Sequence, residues 1–229
     1  MAGPGIKAPF VKYDTIKDNA NEFRQRLESF SLVFPIENII ESRLGMDIVP
    51  VRGLSGLIDM KGLLSQDLKT IYVDEFLCNC REEAYRFTLA HETGHRELHV
   101  DIYRRLEPWS SIAEWRDKIT TVFSDEEHRR LEQQADMFAG LVLVPSKHLQ
   151  EEYNRHVPEI IALLQEADRA AISSLPQENA QDILLDELCA RIAPVFEVNP
   201  GVVNARLHYD KLKIEFFRTI TPLLRGEAR

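Results

Sequence analysis

The chain has 229 residues, of which 44% are hydrophobic and 28% charged, and a formal net charge of -9. That is enough apolar material for a sizeable core, in one large domain or two small ones. The acidic balance argues against a broadly basic nucleic-acid-binding face, and the lack of a run of about 18 apolar residues argues against a membrane-spanning helix.

The N-terminus has no apolar stretch of the kind that opens a secretory signal. Its three cysteines, Cys78, Cys80 and Cys189, are too few and too scattered for a disulfide framework, so a cytoplasmic location is expected. Cys78 and Cys80 have no second pair with which to build a structural zinc site. No internal repeat or low-complexity tract is present.

Residues 1–12 read as a loose arm and residues 18–30 as a helix. Residues 35–45 carry clearer punctuation: Pro35 opens the segment, apolar residues recur at Ile36, Ile39, Ile40 and Leu44, and Gly45 closes it. Residues 47–51 are strand-like, at an edge because of Pro50. Residues 56–60 lead through Lys61 and Gly62 into Leu63 and Leu64, which predicts a hairpin. Residues 69–73, β-branched and aromatic, give the strongest strand signal.

A helix is then predicted from Asn79, with Glu82 at capping-box spacing, to about His99. Residues 100–123, with Trp109 and Trp115, are expected to form a helix with loops. Ser124 and Glu127 make a regular capping box for another helix that stops before Pro145. Residues 146–229 read as mainly helical, with amphipathic pieces at 158–164 and 183–189 and a linker at 173–181. The expected fold is α+β, with a small antiparallel or mixed sheet packed on the helix carrying residues 91–95. The expected organisation is an N-terminal arm and helix over 1–30, a core over 31–150 and a helical C-terminal region over 151–229.

Residues 91–95 read His-Glu-Thr-Gly-His, the H-E-x-x-H pattern. Positions i and i+4 stack on one helix face, so His91 and His95 can point at one ion. Glu92 then sits beside the metal, where it can take a proton from a bound water. Phe87, Ala90, Gly94 and Leu98 share that face. The plainer alternative is a pair of hydrogen-bonded core histidines.

A catalytic zinc has three protein ligands and one open position. The metzincin continuation fails, because the residues after His95 place neither Gly nor His at the required offsets. His99 lies one turn on, but three histidines along two turns do not easily converge, so a non-ligand role at the surface or in the next turn is preferred. Glu132 and Asp136 share a face on the later helix, beside apolar Ala135, Phe138, Ala139 and Val142. Glu132 can complete the ligand set, and Asp136 can accept the free ring N–H of a ligating histidine. Glu126, Glu127 and His128 read as solvated first-turn residues. His148, His156 and His208 lack partner spacing. Tyr72, Tyr85 and Tyr209 are candidates to stabilise an oxyanion, with nothing local to choose among them.

These residues resemble the ImmA/IrrE-type zinc metallopeptidases. Arg86-Phe87-Thr88-Leu89-Ala90-His91-Glu92-Thr93-Gly94-His95, followed by His99, looks like that family's core helix. Glu132-Gln133-Gln134-Ala135-Asp136-Met137-Phe138-Ala139 with Pro145 looks like its second block. The segment at Pro35 and Ile36, Leu44-Gly45 and Ile71-Tyr72-Val73 are similar to its upstream elements, and Phe196 to Leu207 more loosely to its tail. The resemblance covers about 33–210 and is strongest over 85–145. It implies a zincin-type fold, zinc bound by His91, His95 and Glu132, Glu92 as general base and Asp136 behind the ligands.

Members of that family are typically bacterial or phage-related regulators, many of which cleave a helix-turn-helix repressor. Two departures stand out: Gln134 occupies a position that often holds Glu, and Leu143-Val144-Pro145 replaces Leu-Met-Pro. No helix-turn-helix domain of this chain's own is expected. The functional expectation is a zinc-dependent endopeptidase acting on a protein regulator, possible partners being transcriptional repressors, without membrane or direct nucleic-acid binding. The alternatives are a zinc-bearing sensor that regulates a partner without proteolysis and a metal-free relic of the fold. An extended substrate is expected to pair with an edge strand, at 71–73 or 57–60.

Overall fold

Helix α1 spans Tyr13–Arg26 and so begins before the predicted 18–30. Ile16, Ala20 and Phe23 recur at helical spacing and are all buried, and that face, rather than any cap, sets where the helix starts. It packs on a later helix, with Phe23 edge-on to Phe138 at 5.5 Å between ring centroids. The segment before it is tied down rather than loose. Ala8 is buried in a cluster with Ile102, Leu106, Phe123 and Leu131, and the Pro9 carbonyl accepts a hydrogen bond from Gln134 Nε2 at 2.9 Å.

This computed structural model describes residues 7–29, 31–58, 60–106, 111–165 and 175–225. Contacts divide the chain into two compact units, Met1–Leu143 and Val144–Arg229.

In the first unit, α2 (Ile36–Asn38) runs into a π-helical segment, Ile39–Arg43. Gly45, at φ +61, turns the chain in the left-handed region that glycine occupies without strain. Strand β1 (Asp47–Val51) follows, then a short helix α3 (Leu54–Ile58). Strands β2 (Gly62–Leu64) and β3 (Thr70–Asp74) complete the sheet. Its order is β1-β3-β2, with β1 parallel and β2 antiparallel to β3.

The sheet is therefore mixed, and β1 is an edge strand as Pro50 requires. The hairpin differs from the prediction. Residues 54–58 are helical, and β2 pairs forward with β3 across the turn at 65–69, where Ser65 Oγ accepts from the Thr70 backbone at 2.9 Å. Residues 57 and 58 are thus helical and 60 lies in no strand, while 59 lies outside the described residues; 71–73 lie in the central strand, which has no free edge. β2 is the other edge strand, and its outer side lies against Thr88 and Glu92 of the next long helix.

Helix α4 (Glu75–Cys80) is capped by Asp74, whose carboxylate accepts from Phe76 N at 2.9 Å and from Ser55 N at 2.7 Å. Arg81 then breaks the chain direction, and α5 runs Glu82–Leu98. The expected Asn79 cap is not formed: Asn79 is inside α4, because the stronger Asp74 cap starts that helix earlier. Next come α6 (Val100–Tyr103), α7 (Ile112–Val122) and α8 (Asp125–Leu143). The box at the start of α8 forms in both directions, Ser124 N to Glu127 Oε2 at 3.2 Å and Glu127 N to Ser124 Oγ at 3.3 Å. At the far end, the buried Arg24 guanidinium donates to the Val142 carbonyl, an acceptor the helix itself leaves open. Trp109 lies outside the described residues.

The second unit contains α9 (Ser146–Gln165), α10 (Gln177–Phe196), α11 (Pro200–Tyr209) and α12 (Leu212–Leu224). Pro158 sits inside α9 rather than opening a new helix. It is exposed, so the carbonyl it leaves unbonded can meet water. The linker expected at 173–181 is helical from Gln177; 173 and 174 lie outside the described residues. Arg206, 1% exposed, donates to the Val144 carbonyl at 3.1 Å and to Asp210 at 2.7 Å, so the loose tail resemblance falls on a structural anchor.

Candidate metal centre

Two glycines allow the close packing on which the centre depends. A Cβ on Gly94 would lie 3.1 Å from both Cα and the carbonyl oxygen of Ala135, so any larger residue there would need the α8 backbone to give way by a few tenths of an ångström. Glu132 is one turn before Ala135 and is thereby brought against His91 and His95. A Cβ on Gly62 in β2 would meet the Thr88 methyl at 2.5 Å and Glu92 Oε1 at 3.0 Å. The backbone of β2 therefore lies directly against the Glu92 side chain.

His91, His95 and Glu132 are a group that could hold a metal ion, one donor atom from each lying within 4.8 Å of the others. The individual separations are tighter. His91 Nε2 is 3.1 Å from His95 Nε2 and 3.2 Å from Glu132 Oε2, and His95 Nε2 is 3.4 Å from Glu132 Oε1. Donors at about 2.0–2.1 Å from a tetrahedral zinc stand about 3.3–3.4 Å apart; the two imidazole nitrogens are near that separation, and each faces a different oxygen of the Glu132 carboxylate. The remaining nitrogens are occupied elsewhere: His91 Nδ1 lies 2.8 Å from Asp136 Oδ1, and His95 Nδ1 lies 3.1 Å from His99 Nδ1.

The histidines and carboxylates hold one another's charge. Burial would push the His91 imidazole down, but hydrogen bonds to Asp136 and Glu132 carry it up to about 10. Burial would raise Glu132, yet hydrogen bonds from His91 and His95 hold it far below the usual carboxylate range. Glu92 is 5% exposed, and burial pushes its carboxyl up against the opposing pull of the two histidines.

His99 is the residue that the sequence reading misplaced most. It is buried, not superficial, and its Nε2 lies 2.9 Å from Gln134 Oε1. Burial, with His95 adjoining, pushes it down to about 3, so it is neutral. The spacing of His99 four residues after His95 carried this signal. His128 is half-buried and turned toward Glu132, Nε2 to Oε1 3.8 Å, rather than solvated. Glu126 is exposed and pairs with Arg130, and Glu127 serves the cap. His148 and His156 bond Glu151 and Glu159 in the second unit, and His208 packs on Tyr209.

A small cavity of about 20 Å³ beside Glu92, His95 and Glu132 is lined by apolar Met60, Ile102, Leu106, Trp115 and Phe123, and by Tyr103. Tyr103 was not among the sequence candidates. It is 4% exposed, and its ring centroid is 6.3 Å from that of His95. Burial, with Glu92 and Glu132 nearby, raises its phenol well above the ordinary value, so it keeps its proton. Of the tyrosines that were candidates, Tyr85 donates to Glu37 at 2.9 Å in a separate groove, Tyr209 belongs to the second unit, and Tyr72 lies on β3. No helix among the described residues is long and apolar enough to cross a membrane.

Two histidines one turn apart with a glutamate between them, joined by a glutamate from a neighbouring helix, make the donor set of a metallopeptidase. The family model of the IrrE N-terminal-like domain, peptidase family M78, matches residues 42–208, and the chain belongs to that family. The match crosses from the first unit into the second and leaves α1 outside it. No curated protein and no solved structure matches the chain significantly.

Proposed function

We propose that this protein is a zinc-dependent endopeptidase that cuts a protein regulator, such as a helix-turn-helix repressor, in the cytoplasm of a bacterium or in a mobile-element setting. The observation that carries the reading is the cluster of three donors, one from each of His91, His95 and Glu132 within 4.8 Å of the others, with the buried Glu92 beside them. The repressor rests on the family resemblance.

His91, His95 and Glu132 would hold the ion, and Asp136 fixes the ring of His91. A zinc ion held there would supply Lewis-acid polarisation and a water acidified toward neutrality. Glu92 takes the proton from the attacking water and returns it to the departing amine. Its raised pKa suits a group that must both accept and release. The Tyr103 hydroxyl donates to the carbonyl oxygen as charge develops on it. The outer edge of β2 lies beside Glu92, where an extended substrate would run along it, and the apolar cavity favours an apolar side chain next to the cut.

The test is incubation of zinc-loaded protein with a repressor encoded beside it. Glu92→Gln should abolish cleavage while keeping its zinc. Cleavage that persists unchanged in this variant would sink the mechanism. A regulatory effect that survives Glu92→Gln but is lost in His91→Ala would point instead to a sensor that acts without proteolysis.

A further inference from the structure

Of residues 7–10, Ala8 alone is buried; Lys7, Pro9 and Phe10 are exposed. This segment therefore sends a single methyl group into the first unit. Ala8 clusters there with Ile102, Leu106, Phe123 and Leu131, and the same four residues line the cavity beside Glu92, His95 and Glu132. They form a wall one side chain thick, with Ala8 behind it and the cavity in front. We propose that the cavity takes a short apolar side chain of the substrate, such as that of alanine or valine, and that Ala8 is the specificity-determining residue that keeps it short. The proposal rests on the peptidase reading above.

The space sets the first half of the argument. The cavity has about 20 Å³, where about 10–15 Å³ admits one water. A leucine or phenylalanine side chain would enter only if the wall drew back.

What stands behind the wall sets the second half. The Ala8 carbonyl accepts from Arg130 Nη1 at 3.4 Å and the Pro9 carbonyl from Gln134 Nε2 at 2.9 Å. Arg130 and Gln134 are one turn apart on α8, so the segment is held at two successive carbonyls. Its other end is held as well, because the Lys12 carbonyl accepts from Ile16 N at 3.1 Å and so leads the chain directly into α1. From the turn between β2 and β3, Gln66 Nε2 donates to the Leu106 carbonyl, which fixes one of the wall residues in turn. A close-packed interior transmits a change of one methyl group, so the size of residue 8 is felt in the cavity. Residue 8 lies before the 42–208 family match, and the pocket is thus trimmed by a part of the chain outside the matched domain.

The experiment follows the methyl resonances of Ile102 and Leu106 by NMR while isopropanol or isobutanol, which differ by one methylene, is titrated into the full-length protein. In the wild type, isobutanol should bind no more tightly than isopropanol despite its larger apolar surface. Ala8→Gly should shift the ratio of the two dissociation constants toward isobutanol by about 4-fold, the worth of one buried methylene. Ala8→Val should weaken both alcohols; should it fail to fold, Ala8→Gly decides. A ratio unchanged in Ala8→Gly would overturn the proposal, as would a wild type that prefers isobutanol by a full methylene, or methyl resonances that neither alcohol moves in any of the proteins. In parallel, zinc-loaded protein is incubated with a mixed peptide library and the products are sequenced. Alanine or valine should stand next to the cut in the wild type, and leucine should gain in Ala8→Gly. Large side chains next to every wild-type cut would also overturn it. A protein that cuts nothing would remove the peptidase reading, and the alcohols would still decide whether Ala8 sets the size of the cavity.

Discussion

Gly94 and Ala135 face each other where α5 crosses α8, so closely that a Cβ on Gly94 would lie 3.1 Å from the Ala135 backbone and 3.2 Å from the Phe138 ring. Alanine in a helix is intrinsically better than glycine by about 1 kcal/mol. Overpacking a close crossing costs about 1–3 kcal/mol, and here backbone atoms must give way. Gly94→Ala should therefore lose stability in urea unfolding, Gly94→Val should lose more, and zinc affinity should fall with both as Glu132 moves off. A Gly94→Ala variant more stable than wild type would refute the close-crossing account.

Tyr103 reaches the candidate centre from α6 without contributing a ligand. Removing its hydroxyl as Tyr103→Phe should reduce kcat about 10²–10³-fold. Zinc content and the unfolding midpoint should stay near wild type, because the ring remains in its apolar pocket. If kcat and KM are both untouched, another group stabilises the oxyanion.

Asp136 holds His91 Nδ1 at 2.8 Å. Asp136→Ala should weaken zinc binding about 10–100-fold. Asp136→Asn, which still offers an oxygen acceptor, should recover much of that loss. Equal loss in both variants would show that the negative charge matters, rather than the acceptor.

Asp74 caps α4 and also binds the backbone of Ser55, and these hydrogen bonds lower its pKa in the fold. A carboxylate lowered in the folded state contributes stability above its unfolded pKa, about 3.9, and that contribution disappears as pH falls through the folded value. Asp74→Ala should cost about 1 kcal/mol at neutral pH and progressively less as the pH is taken below about 4. Denaturant unfolding along a pH series measures this. A mutational cost that stays constant down the acid limb would exclude the linkage.

The residues that make the candidate site were legible largely because each obeys a local rule. The spacing of His91 and His95 gives their shared face, Ser124 and Glu127 start α8 by a box that forms as written, and Glu132 stands out as a carboxylate beside an apolar stripe. What escaped depends on packing between segments distant in the chain. Tyr103 has no local mark, since only the fold brings α6 over Glu92. The Asn79 start lost to Asp74 because Asp74 also binds Ser55, a partner 19 residues away. The hairpin was mispaired because glycine at 62 signals a turn, whereas its actual duty is to let β2 touch Thr88 and Glu92. The anchoring of residues 7–12 follows from Gln134 and the Ala8 cluster, which no N-terminal composition announces.

The donors of the candidate centre are divided between α5 and α8, with α6 and α7 lying between them along the chain. An ion held by all three would therefore tie a closed loop and restrict the unfolded chain much as a covalent staple does, though in a form that a chelator can undo. In that sense the centre would work as a removable clasp as well as a reactive group. Amide exchange along α6 and α7 should then quicken when the clasp is opened and slow again when zinc is restored.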